Sequence, residues 1–139
     1  MLCGLEIAYH RGLSGHSDAD VATHAVIDAI LGAAGMGDIG ALFPDTDPAY
    51  EDASSLALLR EVVARVAQAG WRVVNVDLVI VAERPRLAPH RAAMATLLAA
   101  ALRVGSDAVG VKATTTEGMG FEGRGEGVSA TAVCLLERV

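Results

Sequence analysis

Three polar segments interrupt an otherwise alanine-rich sequence, and each contains side chains of the kinds that bind metal ions or phosphate groups. They cover residues 16–24 (HSDADVATH), 37–47 (GDIGALFPDTD) and 112–127 (KATTTEGMGFEGRGEG). Hydroxyl and carboxylate oxygens are suitable ligands for hard cations, and backbone N–H groups in glycine-rich turns can bind anions. The sequence contains no P-loop and no nucleophile–base arrangement of the protease or esterase type. The three segments therefore indicate metal or phosphate binding.

The first segment begins a column of polar residues on a predicted helix. Asp20, His24 and Asp28 are spaced four residues apart and so share one helix face. A carboxylate and an imidazole in this arrangement can ligate a metal ion, or the aspartate can orient the histidine that does so. A solvated helix face with one capping residue is the alternative. His16 lies near a predicted helix N-terminus, which favours anions, or is an exposed loop residue.

The other two segments also allow two interpretations. Asp38 and residues 45–47 can bind the hydroxyls of a ribose or a diol, or can form an ordinary turn-rich loop. Residues 114–117 (TTTE) follow a predicted strand, where their oxygens suit a phosphate and a hard cation; threonine's preference for strands is the alternative. Arg124 lies between two glycines, either in a surface ion pair or presented to an anion.

The hydrophobic pattern predicts the elements that must position these segments. A first helix is predicted from an N-cap at Ser17, with Asp20 completing a short capping box, to Gly35 and Gly37. Two more helices are predicted from Ser54 or Ser55 to about residue 68 and from about residue 90 to 104. Strands are predicted at residues 71–82, 109–114 and 128–136, and residues 1–7 are predicted as a strand or a hairpin arm. Along the first of these strands, Val76, Leu78 and Ile80 are expected on the side opposite Asp77. This order favours an α/β (α+β) two-layer sandwich, with helices on one face of a mixed, mostly antiparallel sheet of about four strands.

Composition limits the class of protein. The 139 residues predict a single domain, 1–139, and the net charge of −6 argues against general affinity for nucleic acid. No apolar stretch approaches the ~20 residues of a membrane span, and the N-terminus lacks the layout of a signal peptide. The two cysteines, Cys3 and Cys134, have no metal-ligand spacing and are interpreted as free thiols. We therefore predict a soluble, cytoplasmic protein.

The order of the motifs resembles one family over nearly the whole chain, the 2-C-methyl-D-erythritol 2,4-cyclodiphosphate synthases. The stretches that carry the resemblance are His16-Ser17-Asp18 with Asp20 and His24, Asp38-Ile39-Gly40, residues 43–47 (FPDTD), residues 114–117 (TTTE), and Phe121 with residues 124–127 (RGEG). The family implies a phosphorus–oxygen lyase of non-mevalonate isoprenoid biosynthesis. In its reaction the 2-phosphate of 4-diphosphocytidyl-2-C-methyl-D-erythritol 2-phosphate attacks the β-phosphorus and CMP is released. Such an enzyme works by positioning and charge neutralisation.

The resemblance also implies residue roles. His24 matches a zinc ligand, Glu117 matches a ligand of Mg²⁺ or Mn²⁺ at the diphosphate, and His16 and Thr115 match catalytic residues. Asp38 and Gly40 match the residues that hold the ribose and erythritol hydroxyls. The substrate-binding residues implied in this way are Ser17, Asp38, Ile39, Gly40, Phe43, Pro44, Asp45, Thr46, Asp47, Ala82, Arg86, Leu87, Ala88, Thr114, Thr116, Phe121 and Arg124.

The family further implies an assembly. It is a homotrimer with active sites between adjacent subunits, and Phe121, Arg124 and Glu126 match residues around a cavity on the threefold axis, a site for an isoprenoid diphosphate. Three arginines that converge there would repel one another, so we expect Arg124 to pair with Glu126.

One part of the family pattern is missing from this sequence. Family members begin with a strand whose Asp-x-His motif supplies two further zinc ligands, and residues 1–5 (MLCGL) align after that strand. Catalytic zinc sites normally have three protein ligands, so we expect an incomplete zinc site in the chain as given. The alternative function is a catalytically impaired trimeric module that binds a cytidine nucleotide or an isoprenoid diphosphate.

Overall fold

The structure is a computed structural model that describes residues 1–7, 20–44, 46 and 54–139. In chain order its main elements are α1 (Val21–Ala34), α2 (Ile39–Leu42), α3 (Ser55–Gln68), β1 (Trp71–Val81), α4 (Arg91–Leu102), β2 (Val109–Thr114), α5 (Gly120–Gly123) and β3 (Ser129–Arg138). Two short 3₁₀ helices, Ala88–His90 and Ser106–Ala108, precede α4 and β2. None of the helices in this part of the chain is long and apolar enough to cross a bilayer.

The sheet has the strand order β2-β1-β3. Strand β1 runs parallel to β2, with Val81 opposite Thr114, and antiparallel to β3, with Val81 opposite Ser129. The prediction of a mixed sheet is therefore confirmed. In the described residues the sheet has three strands rather than about four, because residues 1–7 form a turn closed by a Leu2–Leu5 bridge.

One face of the sheet carries the helical layer. Val76, Leu78 and Ile80 of β1 are buried beneath the helices, whereas Asp77 between them is exposed on the other face. Helices α1, α3 and α4 contribute large, fully buried side chains to the core, among them Ile27, Leu59 and Leu98. The two-layer arrangement and the alternation of faces along β1 agree with the sequence prediction.

Helix α1 begins differently from the prediction. Its N-cap is Asp20 rather than Ser17, and the Asp20 side chain is fully buried. The carboxylate accepts hydrogen bonds from the backbone N–H groups of Cys3 (2.8 Å), Gly4 (2.6 Å) and Thr23 (3.0 Å), and from the Thr23 hydroxyl (2.7 Å). These bonds fasten the 1–5 turn to the start of α1. The other end of the helix is as predicted, since Gly35 ends it in the left-handed region.

The boundaries of α3 and α4 lie close to the predicted ones. Ser54 is the N-cap of α3, and its hydroxyl accepts a hydrogen bond from the N–H of Ala57. Helix α4 begins at Arg91, because Pro89 lies in the preceding 3₁₀ turn rather than in the first turn of the α-helix. Both cysteines are free, and burial raises the pKa of the Cys3 thiol and of the Cys134 thiol.

Candidate functional site

The candidate site lies where the parallel strands β1 and β2 end together. The two strands remain paired to their last residues, and the N–H of Ala82 donates to the carbonyl of Thr114 over 3.0 Å. Two segments therefore leave the same edge of the sheet, which we name the 82–88 loop (Ala82 to Ala88) and the 114–119 turn (Thr114 to Met119). The carboxyl ends of parallel strands are a common place for ligand sites.

A pocket of about 820 Å³ opens at this edge. It is lined by the whole 82–88 loop and by residues 113–115. Ala82 and Leu87 are buried and shape its base, whereas Arg84 and Arg86 are exposed at its rim. The structure thus brings Ala82, Arg86, Leu87, Ala88 and Thr114, which the resemblance assigns to substrate binding, together with Thr115, which it assigns to catalysis. Apolar walls with guanidinium groups at the mouth suit an aromatic base that carries phosphates.

The 114–119 turn is held by hydrogen bonds between its own residues. The hydroxyl of Thr115 accepts from the N–H of Glu117 over 3.2 Å, and the hydroxyl of Thr116 donates to the carbonyl of Met119. Glu117 and Gly118 both have left-handed backbone conformations, with φ values of 55° and 82°. A non-glycine residue in that region costs on the order of 1 kcal/mol, so the local bonds offset a backbone cost at Glu117. The turn leaves the Glu117 carboxylate exposed.

Gly123 packs against the back of this turn. A Cβ atom at Gly123 would lie 2.2 Å from the carbonyl carbon of Gly118 and 2.7 Å from its oxygen. Because both contacts are to backbone atoms, a side chain can be accommodated at this position only if the turn moves. Sequence reasoning did not identify Gly123 as a functional position, since nothing in the GFEGRGEG stretch distinguishes it from its glycine neighbours.

We expect Gly123→Ala to displace the 114–119 turn and to lower any activity that depends on this turn by about tenfold or more, since small misplacements of binding groups have large effects on rate. Gly32→Ala is the matched control, because no atom lies within 4 Å of a Cβ at that helical position. We expect the control to keep full activity and to gain about 0.5–1 kcal/mol in free energy of unfolding. Equal activity in the two variants would contradict this account of Gly123.

The segment after the turn contains the expected ion pair. Nε of Arg124 lies 2.5 Å from Oε1 of Glu126 within the same chain, and this pair raises the pKa of Arg124. Phe121 is 46% exposed on α5. The pairing of Arg124 with Glu126 is therefore confirmed, and both side chains are exposed.

The polar column on α1 divides into three separate environments. Asp20 is buried in the hydrogen bonds described above, and Nε2 of His24 lies 3.0 Å from the buried hydroxyl of Ser55 on α3. Asp28 is exposed and accepts from the N–H of Ile39 over 2.8 Å. Asp20 is therefore a structural residue, which the spacing alone could not show. Within the described ranges, no three His, Cys, Asp or Glu side chains come close enough to form a metal site.

Helix α2 carries the second polar segment. Asp38 is its N-cap, with Oδ1 accepting from the N–H of Ala41 over 2.9 Å, and Ile39 and Gly40 form its first turn. Phe43 is buried below the guanidinium of Arg65, which lies 5.4 Å from the ring centre. Pro44 and Thr46 are exposed. None of the described residues from 38 to 46 lines the pocket. The candidate residues of one chain therefore form two groups, one at the pocket and one on and after α2.

Four expected site residues lie outside the part of the chain that the structure describes. They are His16, Ser17, Asp45 and Asp47. Two other residues are brought to the candidate residues by tertiary contacts. Glu83 and Ser55 are in contact with Gly118 and His24 respectively, and neither contact has a local signal in the sequence.

Comparisons with known proteins agree with this picture. A model of the YgbB family matches residues 1–137. The chain is 59% identical to a 2-C-methyl-D-erythritol 2,4-cyclodiphosphate synthase of Methylococcus capsulatus, over 99% of this chain and 87% of the relative. The bifunctional IspDF of Campylobacter jejuni superposes with a TM-score of 0.95 at 41% identity, over 100% of this chain and 38% of that one. A CDP-bound 2C-methyl-D-erythritol-2,4-cyclodiphosphate synthase superposes with a TM-score of 0.90 at 42% identity, over 99% of this chain and 89% of that one.

Proposed function

The chain belongs to the YgbB family, and on this basis we propose that it is a 2-C-methyl-D-erythritol 2,4-cyclodiphosphate synthase, a lyase of isoprenoid biosynthesis. Its substrate is 4-diphosphocytidyl-2-C-methyl-D-erythritol 2-phosphate. The 2-phosphate oxygen forms a bond to the β-phosphorus, the bond between that phosphorus and the α-phosphate oxygen breaks, and CMP leaves. The observation that carries the proposal is the meeting of the 82–88 loop with Thr114 and Thr115 at one pocket.

The arrangement supports a mechanism based on positioning. The 82–88 loop binds the cytosine, and Thr114, Thr115 and Thr116 are assigned to the phosphates. The hydroxyls of Thr114 and Thr116 donate to the carbonyls of Thr115 and Met119, so each must leave its carbonyl in order to donate to a phosphate oxygen. The guanidinium of Arg86 at the rim offsets phosphate charge. Because nucleophile and electrophile belong to the same substrate molecule, holding them in line supplies much of the rate enhancement. We assign to Thr115 and His16 the stabilisation of the transition state at the phosphates.

The remaining binding roles are proposed for the second group of residues. Asp38 and Gly40 hold the ribose and erythritol hydroxyls, and Ile39, Phe43 and Pro44 support them. Asp45, Thr46, Asp47 and Ser17 complete the erythritol side of the site. The buried Phe43 ring and the Asp28–Ile39 hydrogen bond give this group a rigid base.

We propose that the reaction depends on divalent metal ions. His24 is the residue assigned to zinc, and Glu117 is the residue assigned to Mg²⁺ or Mn²⁺ with the diphosphate. The described residues do not assemble a metal cluster by themselves. A cytoplasmic location also remains a prediction.

An assay of CMP release tests the function. The purified chain is incubated with the diphosphocytidyl substrate, Zn²⁺ and Mg²⁺, and CMP and the cyclic diphosphate are measured together. We expect equal amounts of the two products, loss of both with a chelator, and recovery when the ions are restored. CDP binding without CMP release would instead favour the hypothesis of a binding module.

A homotrimer with shared sites is the proposed assembly. The face of the sheet opposite the helices bears Val133 and Leu135, which are 66% and 55% exposed. Beside them, Lys112 and Asp77 form an ion pair on the same face. Packing this face against neighbouring subunits would bury apolar surface, and it would allow the two groups of candidate residues to meet across an interface. Phe121 and Arg124 would then surround an axial site for an isoprenoid diphosphate.

We expect light scattering at micromolar concentration to give three times the chain mass of 14.3 kDa, and Val133→Asp to give a monomer without activity. The reason is that a buried, unpaired carboxylate is strongly unfavourable in an interface. Val139→Asp is the control, because Val139 is 85% exposed at the chain end, and it should remain trimeric. An active monomer of the unmodified chain would contradict both the assembly and the shared site.

A further inference from the structure

Glu83 forms a contact that connects the two sides of the pocket. Its Oε1 accepts a hydrogen bond from the backbone N–H of Gly118 over 2.7 Å, across 35 positions of sequence. Glu83 belongs to the 82–88 loop, and Gly118 lies in the 114–119 turn just after Glu117. A single side chain therefore joins the segment that we assign to the base with the segment that we assign to the phosphates.

The 114–119 turn has few other means of keeping its position. The N–H of Glu117 donates to Thr115 over 3.2 Å and the N–H of Met119 donates to the Thr116 carbonyl over 3.2 Å, so both bonds are internal to the turn. Such bonds fix the shape of the turn but not its place relative to the loop. Two other hydrogen bonds reach the ends of the turn, from the N–H of Ala82 to the Thr114 carbonyl and from the N–H of Gly123 to the Met119 carbonyl. Of the hydrogen bonds seen in the described residues after Thr114, the one that Glu83 accepts from Gly118 joins the turn to the 82–88 loop.

The charge of Glu83 argues for a positioning role rather than for direct contact with the substrate. A carboxylate at a phosphate site repels the ligand. We therefore expect Glu83 to make a favourable contribution that offsets this repulsion. The short bond from a backbone N–H is such a contribution, because a carboxylate is a stronger acceptor than a neutral group. The same bond directs Oε1 towards the turn. An amide side chain of equal length can accept the same hydrogen bond without the charge.

We propose that Glu83 is a positioning residue that holds the 114–119 turn in register with the 82–88 loop, so that base and phosphates are bound at the correct separation. This inference rests on the proposed function, since it assigns one ligand to both segments. Glu83 acts through the backbone of the turn.

Two variants separate this role from others. Glu83→Ala removes the acceptor, whereas Glu83→Gln keeps an accepting oxygen and removes the charge. We expect Glu83→Ala to weaken CDP binding about tenfold, the size of effect of a lost charged hydrogen bond, and to leave cytidine binding unchanged, because cytidine has no phosphate to contact the 114–119 turn. We expect Glu83→Gln to bind CDP at least as well as the unmodified chain does. Titration calorimetry with CDP and with cytidine measures both affinities.

Kinetics and amide exchange complete the test. In Glu83→Ala we expect kcat to fall with little change of thermal midpoint, and the Gly118 amide hydrogen to exchange faster than in the unmodified chain. Asp107→Ala is the matched control, since it removes one exposed carboxylate just before β2, at the opposite end of that strand, and it should change none of these values.

The possible failures are distinct. An unmodified chain that neither binds CDP nor releases CMP contradicts the proposed function and this inference with it. An active chain in which Glu83→Ala keeps its CDP affinity, kcat and Gly118 exchange rate overturns the inference alone. Equal losses in Glu83→Ala and Glu83→Gln would overturn it as well, because they would show that the charge matters and the hydrogen bond does not.

Discussion

Replacement of Asp20 by alanine should lower the free energy of unfolding by about 3–5 kcal/mol, because buried donors left without an acceptor cost about 1–3 kcal/mol each. The side chain is fully buried. Its carboxylate is the acceptor for the N–H groups of Cys3, Gly4 and Thr23 and for the Thr23 hydroxyl. The substitution removes the N-cap of α1 and releases the 1–5 turn in one step. Urea unfolding at a fixed protein concentration measures the loss, since assembly makes apparent stability depend on concentration.

Two further substitutions show whether the geometry of Asp20 is responsible. Asp20→Asn keeps one accepting oxygen but turns an N–H donor towards other donors. We therefore expect its free energy of unfolding to lie between that of the unmodified chain and that of Asp20→Ala. Asp28→Ala removes an exposed aspartate from the same helix, where it accepts one hydrogen bond from Ile39. It should cost about 1 kcal/mol or less. The account of Asp20 is wrong if Asp20→Ala costs no more than Asp28→Ala.

Replacement of Thr115 by alanine should lower kcat/KM about 100-fold, the usual effect of removing one preorganised donor to developing negative charge. Thr115 lines the pocket, and its hydroxyl oxygen accepts from the N–H of Glu117. That bond orients the hydroxyl and leaves its hydrogen to donate to a phosphate oxygen. The substitution therefore removes a donor to the substrate and a bond that shapes the turn. CMP release under single-turnover and steady-state conditions measures the effect.

Two further variants test whether the hydroxyl of Thr115 is responsible for the effect. Thr115→Ser keeps the hydroxyl and should retain activity within about tenfold of the unmodified chain. Thr96→Ala removes an exposed threonine on α4 whose hydroxyl donates to the Ala92 carbonyl, and it should leave the rate unchanged. If Thr115→Ala has the activity of Thr96→Ala, the assignment of Thr115 to the transition state fails.

Periodic segments were predictable from the sequence because their signal is local. Helices α1, α3 and α4 and strands β1, β2 and β3 lie close to the expected positions, and β1 buries Val76, Leu78 and Ile80 as its alternation indicated. Hydrophobic spacing and glycine stop signals act within one or two turns of chain. Residues 1–7, predicted as a strand or a hairpin arm, do not add a strand to the sheet, because the apolar run there contains Cys3 and Gly4, which adopt left-handed conformations in a tight turn.

The motifs also predicted the family, and the resemblance then assigned residues of the 82–88 loop and of the threonine run to substrate and catalysis. That these two segments line one pocket is a result of the structure. Which polar residue does what was decided by the tertiary structure. Asp20 and Asp28 share a predicted helix face, yet Asp20 is buried against residues 3 and 4 while Asp28 is exposed. Glu83 lies 35 positions from the amide that it binds, and the need for glycine at 123 comes from the backbone of residue 118. Burial and hydrogen-bond partnership depend on atoms brought close by folding, and short-range spacing carries no information about them.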